Sequence, residues 1–253
     1  TRSVFAIDFV NANNGFICGG FAGASVGEMS RTTNGGVNWI FASLPSPLST
    51  SQLNSLHFTD VNTGWLTGGT NAFSPVIIYK TTNGGTTWSS QTLPGSPNGF
   101  GVSVQMINSN TGYLKTSNTA NQLYYTSNGG SNWILNTSAI ATTINHDNMF
   151  VLTKDIIFLH GSGIGSTKKI VKSVDGGSTW NDITGNMLSS VTIFRSKWLN
   201  LKHGVVCGTN GYTAETTNGG LSWIGSNPGF STTVDVALTS SYWFTISDRN
   251  SAY

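Results

Sequence analysis

The sequence predicts an all-β protein: a β-propeller of four-stranded antiparallel blades, five of them complete and a sixth partial. Three observations carry that expectation. The pattern Ser/Thr-x-Asp/Asn-Gly-Gly-x-x-Trp occurs five times, at residues 32–39, 81–88, 126–133, 173–180 and 216–223. From Asn34 through Asn83, Asn128 and Asp175 to Asn218 the steps are 49, 45, 47 and 43 residues, the length of one blade. Between copies, short runs of alternating apolar and polar residues bounded by Gly, Asn and Pro read as strands better than as helices.

Each fixed residue of the pattern has a physical job. Asn34, Asn83, Asn128, Asp175 and Asn218 are suited to hydrogen-bond the backbone two residues on, and the paired glycines supply positive φ. The hydroxyl at the first position holds the loop by a side-chain-to-backbone bond. Trp39, Trp88, Trp133, Trp180 and Trp223 then open the outgoing strand and fold back as local plugs. The pattern therefore reads as a folding device.

In order, the blades span about 1–47, 48–97, 98–140, 141–187, 188–228 and, in part, 229–253. Blade 1 has a first strand over 4–10, a second from Gly15, a third ending at Arg31, the box, and an outer strand from Trp39. Blade 2 repeats this with strands over 53–59, 64–67, 76–80 and 89–93, and Pro94 ends the last. Blade 3 takes 102–107, 112–115, 122–125 and 134–136. Blade 4 has 146–152 and 155–158 in front, without the Gly-aromatic start of the others. Blade 5 takes 191–198, 204–207, 212–215 and 223–224; strands over 232–238 and 242–245 begin a sixth. The chain is read as a single propeller domain, a piece of a longer polypeptide of six to eight blades, with a six-bladed ring closed by a short last blade as the alternative.

The five boxes resemble the Asp-box, or BNR, repeat of sialidases, sortilin-type receptors and xyloglucan hydrolases. Their spacing and the preceding Gly-aromatic strands are more similar still to propellers like the photosystem II stability and assembly factor, found widely in secreted bacterial proteins. The resemblance implies the propeller fold and leaves enzyme, receptor and assembly factor open. Asn stands in four of the five boxes where the typical residue is Asp.

Only 9% of residues are charged and the net charge is +2, which speaks against capture of nucleic acid or of an anionic membrane. A polar surface of Ser, Thr, Asn and Gly suits a secreted or cell-surface protein. No apolar run is long enough for a transmembrane helix. Cys18 and Cys207 hold the same place in two blades that are not neighbours, so two buried thiols are expected rather than a disulfide.

Alignment on the turn between first and second strands gives a polar column of Asp8, His57, Gln105, Asn148, Lys197 and Asp235. Two residues earlier it reads Ala6, Ser55, Ser103, His146, Arg195 and Thr233. With a period of two, both columns share one side of the first strand, and Ile7, Leu56, Val104 and Val234 take the other. In a propeller the polar side leans into the central channel. Asp8, His57, Gln105, His146, Asn148, Arg195, Lys197 and Asp235 are therefore the candidate binding residues at a channel mouth. A water-filled channel with polar walls is the plainer reading. Phe21, Phe73, Phe100, Phe230 and Tyr212 are expected in loops, available to stack on sugar rings or to contact protein.

No phosphate loop, His-Glu-x-x-His or Ser-His-Asp order is present, and no metal or cofactor is called for. A sialidase needs an arginine clamp, and of the four arginines only Arg195 falls on a first strand. A xyloglucan hydrolase needs facing carboxylates, for which Asp8 and Asp235 are the one nominee. The expected function is a non-catalytic module that binds a protein or spaces an extracellular assembly. A glycan-binding module, a photosystem assembly factor and a glycoside hydrolase are the alternatives.

Overall fold

The computed structural model describes residues 2–21, 26–117, 121–138, 148–161, 170–187, 190–226, 233–239 and 242–247. Phe230 and His146 lie outside the described residues, and of Phe21 only the backbone is described. The chain divides into two compact units, Thr1–Thr137 and Ser138–Tyr253.

The first unit holds three four-stranded antiparallel sheets. They are β1 (Arg2–Phe9), β2 (Gly15–Phe21), β3 (Gly27–Thr32) and β4 (Ile40–Ala42); β5 (Gln52–Phe58), β6 (Gly64–Gly69), β7 (Ile77–Thr81) and β8 (Ser89–Ser90); and β9 (Phe100–Met106), β10 (Gly112–Ser117), β11 (Leu123–Thr126) and β12 (Ile134–Asn136). The second unit holds two more and a two-stranded sheet. Its strands are β13 (Asn148–Val151), β14 (Ile157–His160), β15 (Ile170–Ser173) and β16 (Asn181–Asp182); β17 (Ile193–Trp198), β18 (Gly204–Gly208), β19 (Thr213–Thr216) and β20 (Ile224–Ser226); and β21 (Thr233–Leu238) with β22 (Trp243–Ser247). The fold class is the one the sequence predicts.

All five boxes close the same way. The first hydroxyl accepts the N–H of the second glycine, as in Thr81 Oγ1 with Gly85 N at 3.0 Å and Ser173 Oγ with Gly177 N at 2.8 Å. It donates in turn to the Asn or Asp Oδ1, at 3.0 Å for Asn83 and 2.8 Å for Asp175. That oxygen accepts the N–H four residues on, Thr87 N and Thr179 N at 2.9 Å each. The bond reaches four residues rather than the expected two, because the glycine pair, with φ of 66–77° and then 83–89°, curls the chain back over the side chain. The N–H of each first glycine docks on the turn between first and second strands of its own blade, for example Gly84 N on Asn62 O at 2.9 Å.

The core lies in the seams between successive blades. In the first unit Phe16, Cys18 and Met29 of blade 1 pack with Leu53, Leu56, Phe58 and Trp88 of blade 2. Trp65 and Ile78 of blade 2 pack with Val104, Met106 and Trp133 of blade 3. In the second unit Phe158, Ile170 and Ile183 meet Ile193, Trp198 and Trp223. A box tryptophan at a seam is thus not only a local plug: Trp88 closes against the preceding blade, and Phe58 stacks on Phe16 at 3.5 Å and meets Trp88 edge-on at 6.2 Å. Blades 4 and 5 repeat the triad, with Trp198 on Phe158 at 3.9 Å and edge-on to Trp223 at 5.7 Å. Each such ring is worth roughly 1.5–3 kcal/mol by burial.

The glycine that opens the second strand makes room for this ring. A Cβ on Gly64 would lie 2.5 Å from the Phe58 ring. Blade 4 inverts the pair: Ile157 holds the glycine's register position and faces the smaller Val151. Its divergent start is therefore a volume exchange across one cross-strand pair.

First strands also carry a bulge that alternation does not reveal. Register slips between Val4 and Ala6, Leu53 and Ser55, Ile193 and Arg195, and Thr233 and Asp235, and opposite Lys115/Thr116 on β10. A residue bulged out there bends the strand and raises its twist.

Candidate functional site

The first strands of successive blades run side by side, β1 by β5 by β9 in the first unit and β13 by β17 by β21 in the second. Residues facing the same way near their ends therefore meet their counterparts one blade on. Asp8 and His57 do so, with Oδ2 and Nδ1 3.5 Å apart. The same Asp8 oxygen accepts Phe58 N–H at 2.7 Å, so the carboxylate ties blade 1 to blade 2. One blade further on, Ser55 Oγ accepts Val104 N–H at 3.1 Å. Gln105 is half-buried on β9.

Pairing in the second unit corrects the alignment at two of the candidate residues. Asp8, His57, Gln105 and Lys197 lie opposite the residue that follows the second strand's opening position, namely Phe16, Trp65, Tyr113 and Val205. The residue so placed in blade 4 is Phe150, opposite Phe158, and Asn148 lies two residues earlier, level with Arg195. In the sixth sheet Ala237 takes the place, and Asp235 is again two residues earlier. Both shifts have one cause: neither sheet has the glycine that marks the second strand elsewhere, Ile157 and Trp243 standing at its register position.

Lys197 Nζ lies 5.7 Å from the Phe150 ring centre, the counterpart in this unit of the Asp8–His57 contact. Arg195 Nη1 donates to Phe194 O at 2.9 Å. Asn148 is 8% exposed, and its Oδ1 accepts Met149 N–H. Asp235 Oδ1 accepts Val236 N–H at 2.8 Å. Asp235 and Arg195 both act on Cys207, whose thiol is pushed up to about 12, chiefly by burial, then by the Asp235 charge, with Arg195 opposing. Cys18 is likewise raised by burial, and both cysteines are free thiols.

Of the aromatics expected in loops, Phe21 and Phe100 lie instead on strands, β2 and β9, with Phe100 half-buried, and Phe73 is 83% exposed. Tyr212 is 3% exposed, packed into the seam of blades 4 and 5, and so offers no face to a sugar.

Two further columns were missed. Asn11, Asp60, Asn108 and Asn200 each accept two backbone N–H bonds in the turn between first and second strands, as in Asp60 Oδ1 with Asn62 N and Thr63 N at 2.7 and 2.9 Å. Immediately before the box hydroxyl stand Arg31, Lys80, Tyr125, Lys172 and Glu215. Arg31 Nη1 donates to Gly84 O at 3.2 Å and Lys172 Nζ to Gly219 O at 3.1 Å, each reaching the next blade's box. Glu215 instead takes His203 of its own blade, at 2.7 Å. Repeat alignment alone exposes this column, since it sits at a fixed offset from the box. Among the described residues no group of three or more His, Cys, Asp or Glu is placed to hold a metal ion.

Blades of this build, each closed by a glycine-pair box, define a BNR-type β-propeller. The chain matches the profile of the photosynthesis system II assembly factor YCF48 over residues 1–148 and belongs to that family. A solved structure described as YCF48 bound to D1 peptide is similar to it at a TM-score of 0.55 and 17% identity, covering 98% of this chain and 90% of that one. YCF48 from Cyanidioschyzon merolae gives 0.55 and 15%, covering 96% and 92%. The GH74 xyloglucanase of Xanthomonas campestris gives 0.64 and 14%, with 88% of this chain matching 38% of the enzyme. At these identities the likenesses show the fold alone. No curated protein matches the chain.

Proposed function

We propose that this chain is a non-catalytic protein-binding propeller that takes a peptide segment of a partner protein, in a secreted or cell-surface assembly. The observation that carries this is membership of a family from which a structure described as bound to a D1 peptide spans nearly the whole of this chain. The first-strand ends support a non-catalytic role. Acid–base hydrolysis needs two carboxyl groups free to trade protons across a substrate. Asp8 is instead engaged with Phe58 N–H and His57, and Asp235 with Val236 N–H. The low charge and the Ser, Thr and Asn surface support the extracellular setting.

The test is a tiled peptide array of the source organism's exported proteins, followed by anisotropy titration of each hit against the full chain. Saturable binding that His57→Ala or Lys197→Ala weakens at least tenfold supports the reading. Turnover of xyloglucan or a sialoside, abolished by Asp8→Ala or Asp235→Ala, overturns it. Recovery of the native protein only from the cytosolic fraction overturns the proposed setting.

A further inference from the structure

We propose that the cleft between the outer edge of blade 2 and the box of blade 3 is a binding site for a small oxyanion, a carboxylate or a phosphate, with Lys80 as its cation. The cleft has a volume of about 310 Å³, at the lower end of the range for small-molecule sites. Its wall carries Lys80 and hydroxyls that include Thr87, Ser89, Ser90 and Ser131, and no carboxylate.

What sets Lys80 apart is a comparison within the molecule. At the same register position Arg31 and Lys172 spend their charge on the first-glycine carbonyl of the next box, Gly84 O and Gly219 O. The carbonyl that Lys80 would take is Gly129 O. It already accepts Gln91 Nε2 at 2.9 Å and Trp65 Nε1 at 3.2 Å, which fills both of its lone pairs. Gln91 is held in place from its other end, since its Oε1 accepts Trp133 Nε1 at 3.1 Å. The counterparts of Gln91 in blades 1 and 4, three residues past the box tryptophan, are Ala42 and Ile183, whose side chains cannot compete for the carbonyl.

Lys80 is therefore displaced. Its ammonium rests 4.8 Å from the Trp65 ring centre, and among the described residues it has no hydrogen-bond acceptor. A half-buried ammonium in this state lacks the partner that its two counterparts have. The hydroxyls beside it can donate: Thr87 Oγ1 already accepts Asn83 Nδ2 at 2.8 Å, which leaves its own proton for a ligand. Several O–H donors, one N⁺–H group and no acid suit an oxyanion. A neutral sugar is disfavoured, because among the described residues no aromatic ring lines the cleft, and Trp65, beneath Lys80, is fully buried and covered by it.

The site stands apart from the first-strand ends and holds whether or not the protein-binding reading does. Its test is titration of the full ¹⁵N-labelled chain with sodium phosphate and, separately, sodium citrate, at constant ionic strength. The expected result is saturable amide shifts confined to Ser89, Ser90, Gly130 and Ser131. Phosphate alone saturating identifies a phosphate ligand, citrate alone a carboxylate, and both the shared oxyanion chemistry. Lys80→Met should weaken binding at least tenfold, while Lys172→Met leaves it within twofold. Gln91→Leu, which keeps the charge and returns Gly129 O to the lysine, should weaken it severalfold and serves if Lys80→Met fails to fold. Non-saturating shifts with both anions, or native affinity in Lys80→Met or Gln91→Leu, overturn the proposal.

Discussion

Replacing Thr81 by Val tests whether the box hydroxyl holds the fold. Thr81 is 1% exposed, and its Oγ1 accepts the N–H of Gly85, itself buried, at 3.0 Å. Valine keeps the shape, so no cavity opens, and the change isolates the hydrogen bond. Gly85 N–H is left buried without an acceptor, which costs about 1–3 kcal/mol. Asn83 is exposed, so its own groups recover water at little cost. Thr32→Val is the internal control: the N–H it orphans belongs to Gly36, which is half-buried and open to water, so the loss should stay below about 1 kcal/mol. Both residues lie in the first compact unit. In urea unfolding followed by tryptophan fluorescence, with a slope of about 2 kcal/mol/M, Thr81→Val should lower the midpoint by about 0.5–1.5 M. A midpoint within about 0.2 M of the native chain, or a larger loss from Thr32→Val, would refute the reasoning.

Three further outcomes are expected. Hydrogen bonds from the Thr179 hydroxyl and N–H and from the Ser173 hydroxyl hold the Asp175 carboxyl at about 2, against 3.8 unperturbed. The stability it contributes is present above the unfolded value and lost as pH falls through the folded one, so Asp175→Asn should flatten the unfolding midpoint between about pH 4 and pH 2; an unchanged acid profile would remove the carboxyl from the account. Gly95→Ala meets nothing within 4 Å and should cost only the strain of φ 77°, about 1–2 kcal/mol, whereas Gly129→Ala adds a Cβ 2.7 Å from Ser109 O and should cost clearly more. Equal losses in denaturant unfolding would count against the close approach. Cys18 and Cys207, buried with raised pKa, should resist Ellman's reagent at pH 8 in the native chain and react fully in urea; fast native labelling would contradict that burial.

The repeat made the fold legible, and the site only in part. The glycine pair and its flanking hydroxyl announce their conformation locally, so all five boxes could be placed from the sequence. Strand positions followed from the same turns, but strand ends only to within three residues, as where the outer strand of blade 2, expected over 89–93, stops at Ser90. What alternation cannot show is a bulge, because one residue slipped out of register leaves the sequence pattern looking continuous. Nor could it set the register of blade 4, where Ile157 replaces the marker glycine and the compensating Val151 lies on another strand. Asn148 and Asp235 were misplaced by two residues for that kind of reason. Tyr212 looked like a loop residue and is one, yet its ring turns inward, which depends on neighbours far away in the chain.

A repeat protein separates fold from function by comparison with itself. Where register and chemistry both persist, as in the box hydroxyls, a residue serves every blade alike and says nothing about a ligand. Where register persists and chemistry changes, the blade has been given something of its own. The residue before the box is Arg31, Lys80, Lys172 and Glu215 in blades 1, 2, 4 and 5. Two of these cations are spent on the next box, and the acid is spent on His203. Lys80 alone among the four is relieved of that duty, because Gln91 and Trp65 perform it. Both substitutes must be in place for the lysine to be free, and neither is needed for the box to close, since blades 2 and 5 close theirs with a cation's donation instead. Redundant donors beside an unspent charge are what a binding site requires and what a seam alone does not.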